Sequence, residues 1–383
     1  MQIGFIGLGK LGSKCAEVMA EKHDVTGYDI VIVQPAGVTM TNNISQTVID
    51  KDFTFIAIQT PHHKDYDGST PSSHLPPKDF DYSYVTNVLI QLSKIDHKST
   101  IVLISTVLPG TTRREFVKYI NPDQFIYNPY LIAMGTVKED MRNPEMTLIG
   151  NHDGQPSKIV SKLISFYQTI CNCDRYITGT WDEMESVKIF YNTFISMKLS
   201  LSNMVLDVAE KNGNINADVV MKALSGSTKR LISPMYLKPG MGDGGPCHPR
   251  DNIALSSLAN RLHLGYDLFQ SIMFSREEQA HNLAMKLVDY RNPIIILGKS
   301  YKPNVTFIDG SYSLLVGHFV ELEGGELYYE KCDSINSSPP FTYLLGHRYK
   351  FHNHNFETGS VIVDPWCECP QIDGCEVVWY GQP

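Results

Sequence analysis

The chain has 383 residues, of which 42% are hydrophobic and 19% charged, and its formal net charge is −8. That length accommodates two or three domains with buried cores, and the composition is that of an ordinary globular protein. No lysine–arginine block is present to grip nucleic acid, and no apolar run approaches the ~20 residues that span a bilayer, so neither is an expected partner.

The apolar start "MQIGFIGLG" lacks a basic lead and breaks into glycines. It reads as strand and turn rather than a signal peptide, which makes a cytoplasmic protein with reduced thiols the expectation. Residues 2–7 form the first strand, and a helix follows "GLGKLG"; "HDVTGYDI" is then a second strand ending at Asp29. Gly7, Gly9 and Gly12, with Lys10 and Leu11 inside the turn, allow a sharp bend, close backbone approach to a pyrophosphate and helix packing on the strand. The N–H groups and dipole of the following helix favour phosphate. Asp29, at the end of the next strand, suits the ribose hydroxyls and repels a 2′-phosphate, so NAD is the expected cofactor rather than NADP. A glycine turn without a dinucleotide is the bland alternative.

Further strands are expected at "FTFIAIQT", "STIVLIST" and "QFIYNP", with a helix at "SYVTNVLIQLSKI". Strands alternating with helices predict a parallel sheet covered on both faces. Residues 61–81, rich in Pro, Ser, Asp and His, form a long loop at a strand end, where ligand-facing loops lie. From Trp181 to Gly213 there is no proline and the glycine comes last, which predicts one helix of roughly 30 residues, ~45 Å long. Its apolar residues fall on more than one face, so it is expected to be buried between domains or subunits.

On that helix Lys188 and Asn192 share a face, one turn apart. Glu185, three residues earlier, could pair with Lys188 on a solvated stripe. Val187, Ile189, Phe190, Phe194 and Ile195 leave little room for an exposed face, and a buried lysine beside an amide suits an oxyanion. Helical patterns continue to about Tyr290, interrupted by "PGMGDGGPCHPRDN". In that loop Cys247 has backbone N–H groups near it, and Pro249 opens a short helix that places Asp251 in its first turn. Cys247 is therefore a candidate nucleophile, with plain packing as the alternative.

Strand grammar returns at "PIIILGKSYKPN" and continues through "LLVGHFVELEG", "ELYYEKCD", "YKFHN" and "GSVIVDPW". Of the remaining cysteines, Cys15, Cys171, Cys173, Cys332, Cys367, Cys369 and Cys375, the C-x-C pairs lack zinc-site spacing, so no metal is expected and the C-terminal group is taken as structural. The fold class is α/β: two Rossmann-like parallel-sheet domains joined by a central helical domain with one long helix. The expected boundaries are 1–178, 179–290 and 291–383.

Taken together and in order, these motifs resemble the UDP-glucose/GDP-mannose dehydrogenase family over nearly the whole chain. "GFIGLGKLG" with Asp29 is similar to its cofactor turn. "IQTP" and "ISTVLPGTT", which hold Thr60, Pro61, Ser105 and Thr106, are similar to its two nicotinamide-side strand ends. "YNPYLIAMGTVKEDMRNPEMTLIG" resembles its NPEF-type segment, "ESVKIFYNTFISMKLS" its lysine–asparagine helix, "KRLISPMYLKPGMGDGGPCHPRDNIAL" its catalytic-cysteine segment, and "ILGKSYKPN" the opening of its nucleotide-binding domain.

The resemblance implies an NAD-dependent four-electron oxidation of a nucleotide-sugar CH2OH to a carboxylate, closest in pattern to UDP-glucose 6-dehydrogenase. It implies Cys247 as nucleophile, Lys188 and Asn192 as oxyanion stabilisers, Asp251 as base or holder of the catalytic water, and Thr106 as a residue orienting that water. It places Tyr130, Leu131 and Ile132, with Asp243 and Gly244, beside the substrate. Tyr301 and Lys302 fall on its nucleotide side, Arg230 on a residue reaching a partner's sugar site, and the long helix at a homodimer core. This chain departs from the pattern at Tyr130 and Met134, where the family has glutamates, at Asp243, where an aromatic is usual, and at Asp309, where an arginine is usual. Asp243 makes a sugar other than plain glucose an expectation. Two other readings stand beside this one: a β-hydroxyacid-type dehydrogenase, and a nucleotide-sugar-binding homologue that has lost turnover.

Overall fold

The computed structural model describes residues 1–61, 71, 73, 75–76, 78–133, 135–233, 237, 239–241, 247–300, 303, 308–329, 340–348 and 356–382. Contacts divide the chain into two compact units, Met1–Leu199 and Ser200–Pro383. The boundary falls inside the long helix.

The first unit is an α/β layer structure. Its strands are β1 (Gln2–Ile6), β2 (Asp24–Tyr28), β3 (Val38–Met40), β4 (Phe53–Ile56), β5 (Thr100–Leu103), β6 (Phe125–Tyr127), β7 (Thr147–Asn151) and β8 (Tyr176–Thr180). They form one sheet in the order β3-β2-β1-β4-β5-β6-β7-β8, parallel except between β6 and β7. The reversal of strand order beside β1 opens a crevice at the strand C-termini, the usual ligand position in such sheets.

The period-2 pattern decides both faces. Ile3, Phe5, Phe53, Phe55, Val102 and Ile126 pack with α1 (Gly12–Ala20) and α4 (Lys158–Tyr167) on one side. Ile6, Ile56, Ile101, Leu103, Phe125 and Tyr127 pack with α2 (Ser83–Leu92) and with Trp181 and Met184 on the other. β1, β2, β4, β5 and β6, with α2, match their expected places. β3, β7 and β8 carry weak sequence signals, being short or interrupted by glycine. Of the expected loop at 61–81, residues 62–70, 72, 74 and 77 lie outside the described residues.

Helix α5 (Trp181–Asn212) is the expected long helix. Its first turn is fully buried at Trp181 and Glu185. In its middle, Phe190 (65%), Phe194 (45%), Ile195 (42%) and Met197 (61%) are exposed in the single chain, and so is Asn192. The apolar neighbours of Lys188 thus do not close over that face. Among the described residues, no helix is long and apolar enough to cross a membrane.

The second unit begins with helices α6 (Ala217–Ser225), α7 (Cys247–Arg261) and α8 (Leu268–Val288) after the end of α5. It continues as a five-stranded parallel sheet, with α9 (Tyr312–Leu322) following its first strand. The strands are β9 (Ile294–Leu297), β10 (Leu327–Tyr329), β11 (Thr342–Leu345), β12 (Val361–Asp364) and β13 (Glu376–Trp379), ordered β10-β9-β11-β12-β13. The segment "LLVGHFVELEG", expected to continue the strand pattern, is helical instead. Ser311 caps α9 by accepting from Leu314 N at 3.3 Å, and the buried Ser313, Val316, Gly317 and Val320 recur at helical spacing. Residues 349–353 lie outside the described residues. Cys369 is buried against Ile295 and Tyr343, and burial lifts its thiol to about 11, as a core cysteine requires.

Glu185 ties α5 to the β5 side of the first unit. Its two carboxylate oxygens accept from Gly110 N at 2.6 Å and Thr112 N at 2.9 Å. The expected pairing with Lys188 is not made, because both oxygens are drawn to these backbone donors. Removing them by Glu185→Ala leaves two N–H groups without an acceptor, an expected loss of about 2–4 kcal/mol in urea unfolding. Burial raises the Glu185 pKa above its ordinary value. Its contribution is therefore full below the unfolded-state pKa and declines as pH rises through the folded one; Glu185→Gln is expected to flatten that slope.

Candidate functional site

A cavity of about 840 Å³ lies at the strand ends of the first unit. The glycine turn forms one wall. Gly7 has φ +91°, and a Cβ there would meet Ala57 O at 2.6 Å; a Cβ on Gly12 would stand 2.0 Å from Gly7 O. Both contacts are with backbone, so any side chain forces the turn open. A Cβ on Gly9 would meet nothing within 4 Å, which leaves free space at the position where a pyrophosphate approaches the backbone.

Asp29 lines the same cavity and also braces the turn. Its Oδ2 accepts from Leu8 N at 2.5 Å and its Oδ1 from Val31 N at 2.8 Å. Each oxygen keeps a lone pair for a sugar hydroxyl. Lys10, Leu11, Thr60, Ser105, Thr106, Tyr130, Ile132 and Lys188 also line this space. The strand-end loops are stapled together: Thr60 Oγ1 donates to Thr106 O at 2.6 Å, and Ser105 Oγ to Ile58 O at 2.5 Å. Pro61 and Leu131 stand off the lining; Leu131 packs into the core beneath. Ile30, Val31, Tyr84, Val88 and Gln91 are lining residues that sequence reasoning missed. Tyr84, Val88 and Gln91 recur at helical spacing on α2, which was the available signal.

Lys188 is half-buried, and burial lowers the pKa of its ammonium. Its Nζ donates to Tyr130 O at 2.7 Å. A lysine has three donors, so two stay available to a ligand in the cavity. The Tyr130 side chain turns inward, with its hydroxyl 2.9 Å from that of Tyr167. Burial first, then Tyr167 beside it, push its pKa well above the ordinary value, so this phenol keeps its proton and is no general base.

In the second unit Cys247 is the first residue of α7 and is exposed. Asp251 follows at i+4 on the same helix face, and its carboxylate pairs with Arg250 at 2.8 Å. The helix starts at Cys247 itself, two residues before the expected Pro249. Arg230 and Asp309 are exposed in turns. Met134, Asp243, Gly244, Tyr301 and Lys302 lie outside the described residues.

Residues 31–170 match the NAD binding domain, and residues 182–276 the central domain, of the UDP-glucose/GDP-mannose dehydrogenase family. GDP-mannose 6-dehydrogenase of Pseudomonas aeruginosa is 26% identical over 343 residues, covering 79% of this chain and 74% of that one. UDP-glucose 6-dehydrogenase of Campylobacter jejuni is 30% identical over 241 residues, covering 62% and 56%. The fold resembles that of a GDP-mannose dehydrogenase from Pseudomonas aeruginosa solved as a ternary complex. The TM-score is 0.81 at 22% identity, over 98% of this chain and 99% of that one.

The cavity fits the NAD that this domain type binds: an open Gly9 at the start of α1 and a carboxylate at the end of β2 stand on one wall. Asp29→Ala removes the acceptor of Leu8 N together with the carboxylate expected to take the ribose hydroxyls. NADH affinity, followed by fluorescence titration, is expected to fall about tenfold or more, ~1.4 kcal/mol. An unchanged affinity would remove Asp29 from the cofactor site.

Proposed function

Because the chain belongs to the UDP-glucose/GDP-mannose dehydrogenase family, we propose that it oxidises the C6 hydroxymethyl of a nucleoside-diphosphate hexose, UDP-glucose or a related UDP-hexose, to the uronic acid. The overall balance is R–CH2OH + 2 NAD+ + H2O → R–COO− + 2 NADH + 3 H+. The observation that carries this reading is that Lys188 and the Gly7–Gly12 turn line one cavity. A cation that accepts negative charge from substrate oxygen thereby stands in the space that takes the dinucleotide.

NAD, when bound, takes up a hydride from carbon at each of the two oxidations. The Cys247 thiolate adds to the C6 aldehyde, and the thiohemiacetal so formed retains the hydrogen that the second oxidation removes. The product is a Cys247 thioester, which water cleaves to carboxylate and free thiol. Lys188 and Asn192 hold the oxyanions of the two additions. Asp251, one turn along from Cys247, takes the proton of the attacking water, and Thr106 orients that water. By the family resemblance Tyr301 and Lys302 take the nucleotide, Arg230 reaches a partner's sugar, and the carboxylate of Asp243, which replaces an aromatic, favours a sugar other than glucose. The exposed Phe190, Phe194, Met197 and Leu201, spaced four, three and four residues apart on α5, support a homodimer through that helix.

The buried, protonated phenol of Tyr130 favours a specific variant of this mechanism, in which thioester hydrolysis is the slow half-reaction. The NPE-type carboxylate of the resemblance is missing, and nothing at position 130 replaces it as a base.

NADH release at 340 nm from a panel of UDP- and GDP-sugars tests the substrate; fastest turnover of UDP-glucose contradicts the role given to Asp243. Two NADH per sugar are expected, with a thioester on Cys247 detectable by mass spectrometry during turnover. Cys247→Ser is expected to lower four-electron turnover by about a thousandfold or more. Wild-type stoichiometry and rate in that variant would rule the mechanism out. Met197→Glu is expected to convert the dimer to monomer in sedimentation; an unchanged mass would place the interface elsewhere.

A further inference from the structure

Of the positions where this chain departs from its family, 130 and 309 are among the described residues; Asp309 is exposed, and Tyr130 is packed and hydrogen-bonded. The Tyr167 hydroxyl hydrogen-bonds to Asn128 Oδ1, an acceptor-only atom, so Tyr167 donates there. Its single proton is thereby committed, and the 2.9 Å contact between hydroxyls must run from Tyr130 to Tyr167. Asn128 Nδ2 in turn donates to Leu148 O at 2.6 Å. The chain of donors runs one way, from Tyr130 through α4 to the backbone of β7, and ends on a carbonyl. Tyr167 and Asn128 are fully or almost fully buried, and the Tyr130 and Tyr167 rings meet edge to face with centroids 6.5 Å apart. Each member has its partner, so residue 130 has one orientation. Its carbonyl is the group that receives Lys188 Nζ at 2.7 Å.

We infer that Tyr130 and Tyr167 are positioning residues for the Lys188 ammonium, acting through this one-way hydrogen-bond chain to hold the Tyr130 carbonyl in place. The catalytic consequence rests on the proposed role of Lys188. In place of a carboxylate at the reacting centre, the chain has a phenol locked into the core, and its contribution to the site is made by main chain. One ammonium donor is pinned and the remaining two keep a fixed direction into the cavity.

Tyr130→Phe and Tyr167→Phe, made in the full chain, each alone and with Lys188→Ala, test this. Each single variant is expected to lower kcat about tenfold, with KM for the nucleotide sugar and NADH affinity within about twofold of wild type. In the Lys188→Ala background the same changes are expected to have no further effect, because the residue they act through is gone. Losses that add fully to that of Lys188→Ala would overturn the inference.

A second readout needs no turnover. Acetylation of the protein without ligand, mapped by peptide mass spectrometry, is expected to label Lys188 about threefold faster or more in the variants, with Lys162 unchanged. Lys188 labelling equal to wild type in both variants would overturn the positioning itself. If the wild type turned over no nucleotide sugar, the proposed function would fall while the labelling still decided this point. Tyr130→Phe keeps the Tyr167–Asn128 bond, so a folded variant is available even if Tyr167→Phe is not.

Discussion

The hydrogen bond from Lys188 Nζ to Tyr130 O, 2.7 Å long, joins two parts of the first unit that line its cavity, and the candidate site depends on it. One partner belongs to the start of α5, the other to the loop that leaves β6. A lysine on an exposed helix face samples many rotamers and holds its charge in water. Here the main-chain carbonyl fixes one donor, and burial lowers the cost of presenting the rest to an anionic oxygen by having removed competing water in advance.

The bond forms because α5 is set down firmly at its first turn. Glu185 is buried and binds two backbone N–H groups, and Trp181 is nearly inaccessible, with its ring edge-on to Phe125 at 5.7 Å. A helix anchored in this way delivers the residue one turn further on to a defined place. The sheet supplies the other half of the arrangement. Its order reverses beside β1, so the glycine turn and the loops after β4 and β5 open on one crevice, and Thr60 and Ser105 hold those loops together. Gly7 and Gly12 make the geometry possible by leaving out atoms that would sit inside 3 Å of backbone.

Much of this is legible in the sequence where a local rule has only one outcome. The G-x-G-x-x-G spacing after an apolar strand, the acidic residue at the next strand end, and a proline-free stretch ending in glycine each correspond to what the structure contains. The sequence is ambiguous where two structures share one local pattern. "LLVGHFVELEG" is apolar enough for a buried strand, and only its neighbours in space and the Ser311 cap make it α9. Glu185 three residues before Lys188 has the spacing of an ion pair, but two backbone donors, 73 and 75 residues away in sequence, are the stronger claim on it. Phe190 and Phe194 look like core residues by type but are exposed in the single chain, because burial depends on what packs over a side chain and not on its type.

By itself, then, the sequence determined the α/β character, the glycine turn with Asp29, the long helix, and which side chains are chemically able to act, because these follow from steric rules and residue chemistry within a few positions. Only the tertiary structure decided which of those side chains share a cavity, that Glu185 serves the backbone rather than Lys188, and that the Tyr130 phenol points into the core while its carbonyl serves the site. These outcomes depend on competition among hydrogen-bond partners distant along the chain, and that competition is settled only when the sheet and α5 have packed.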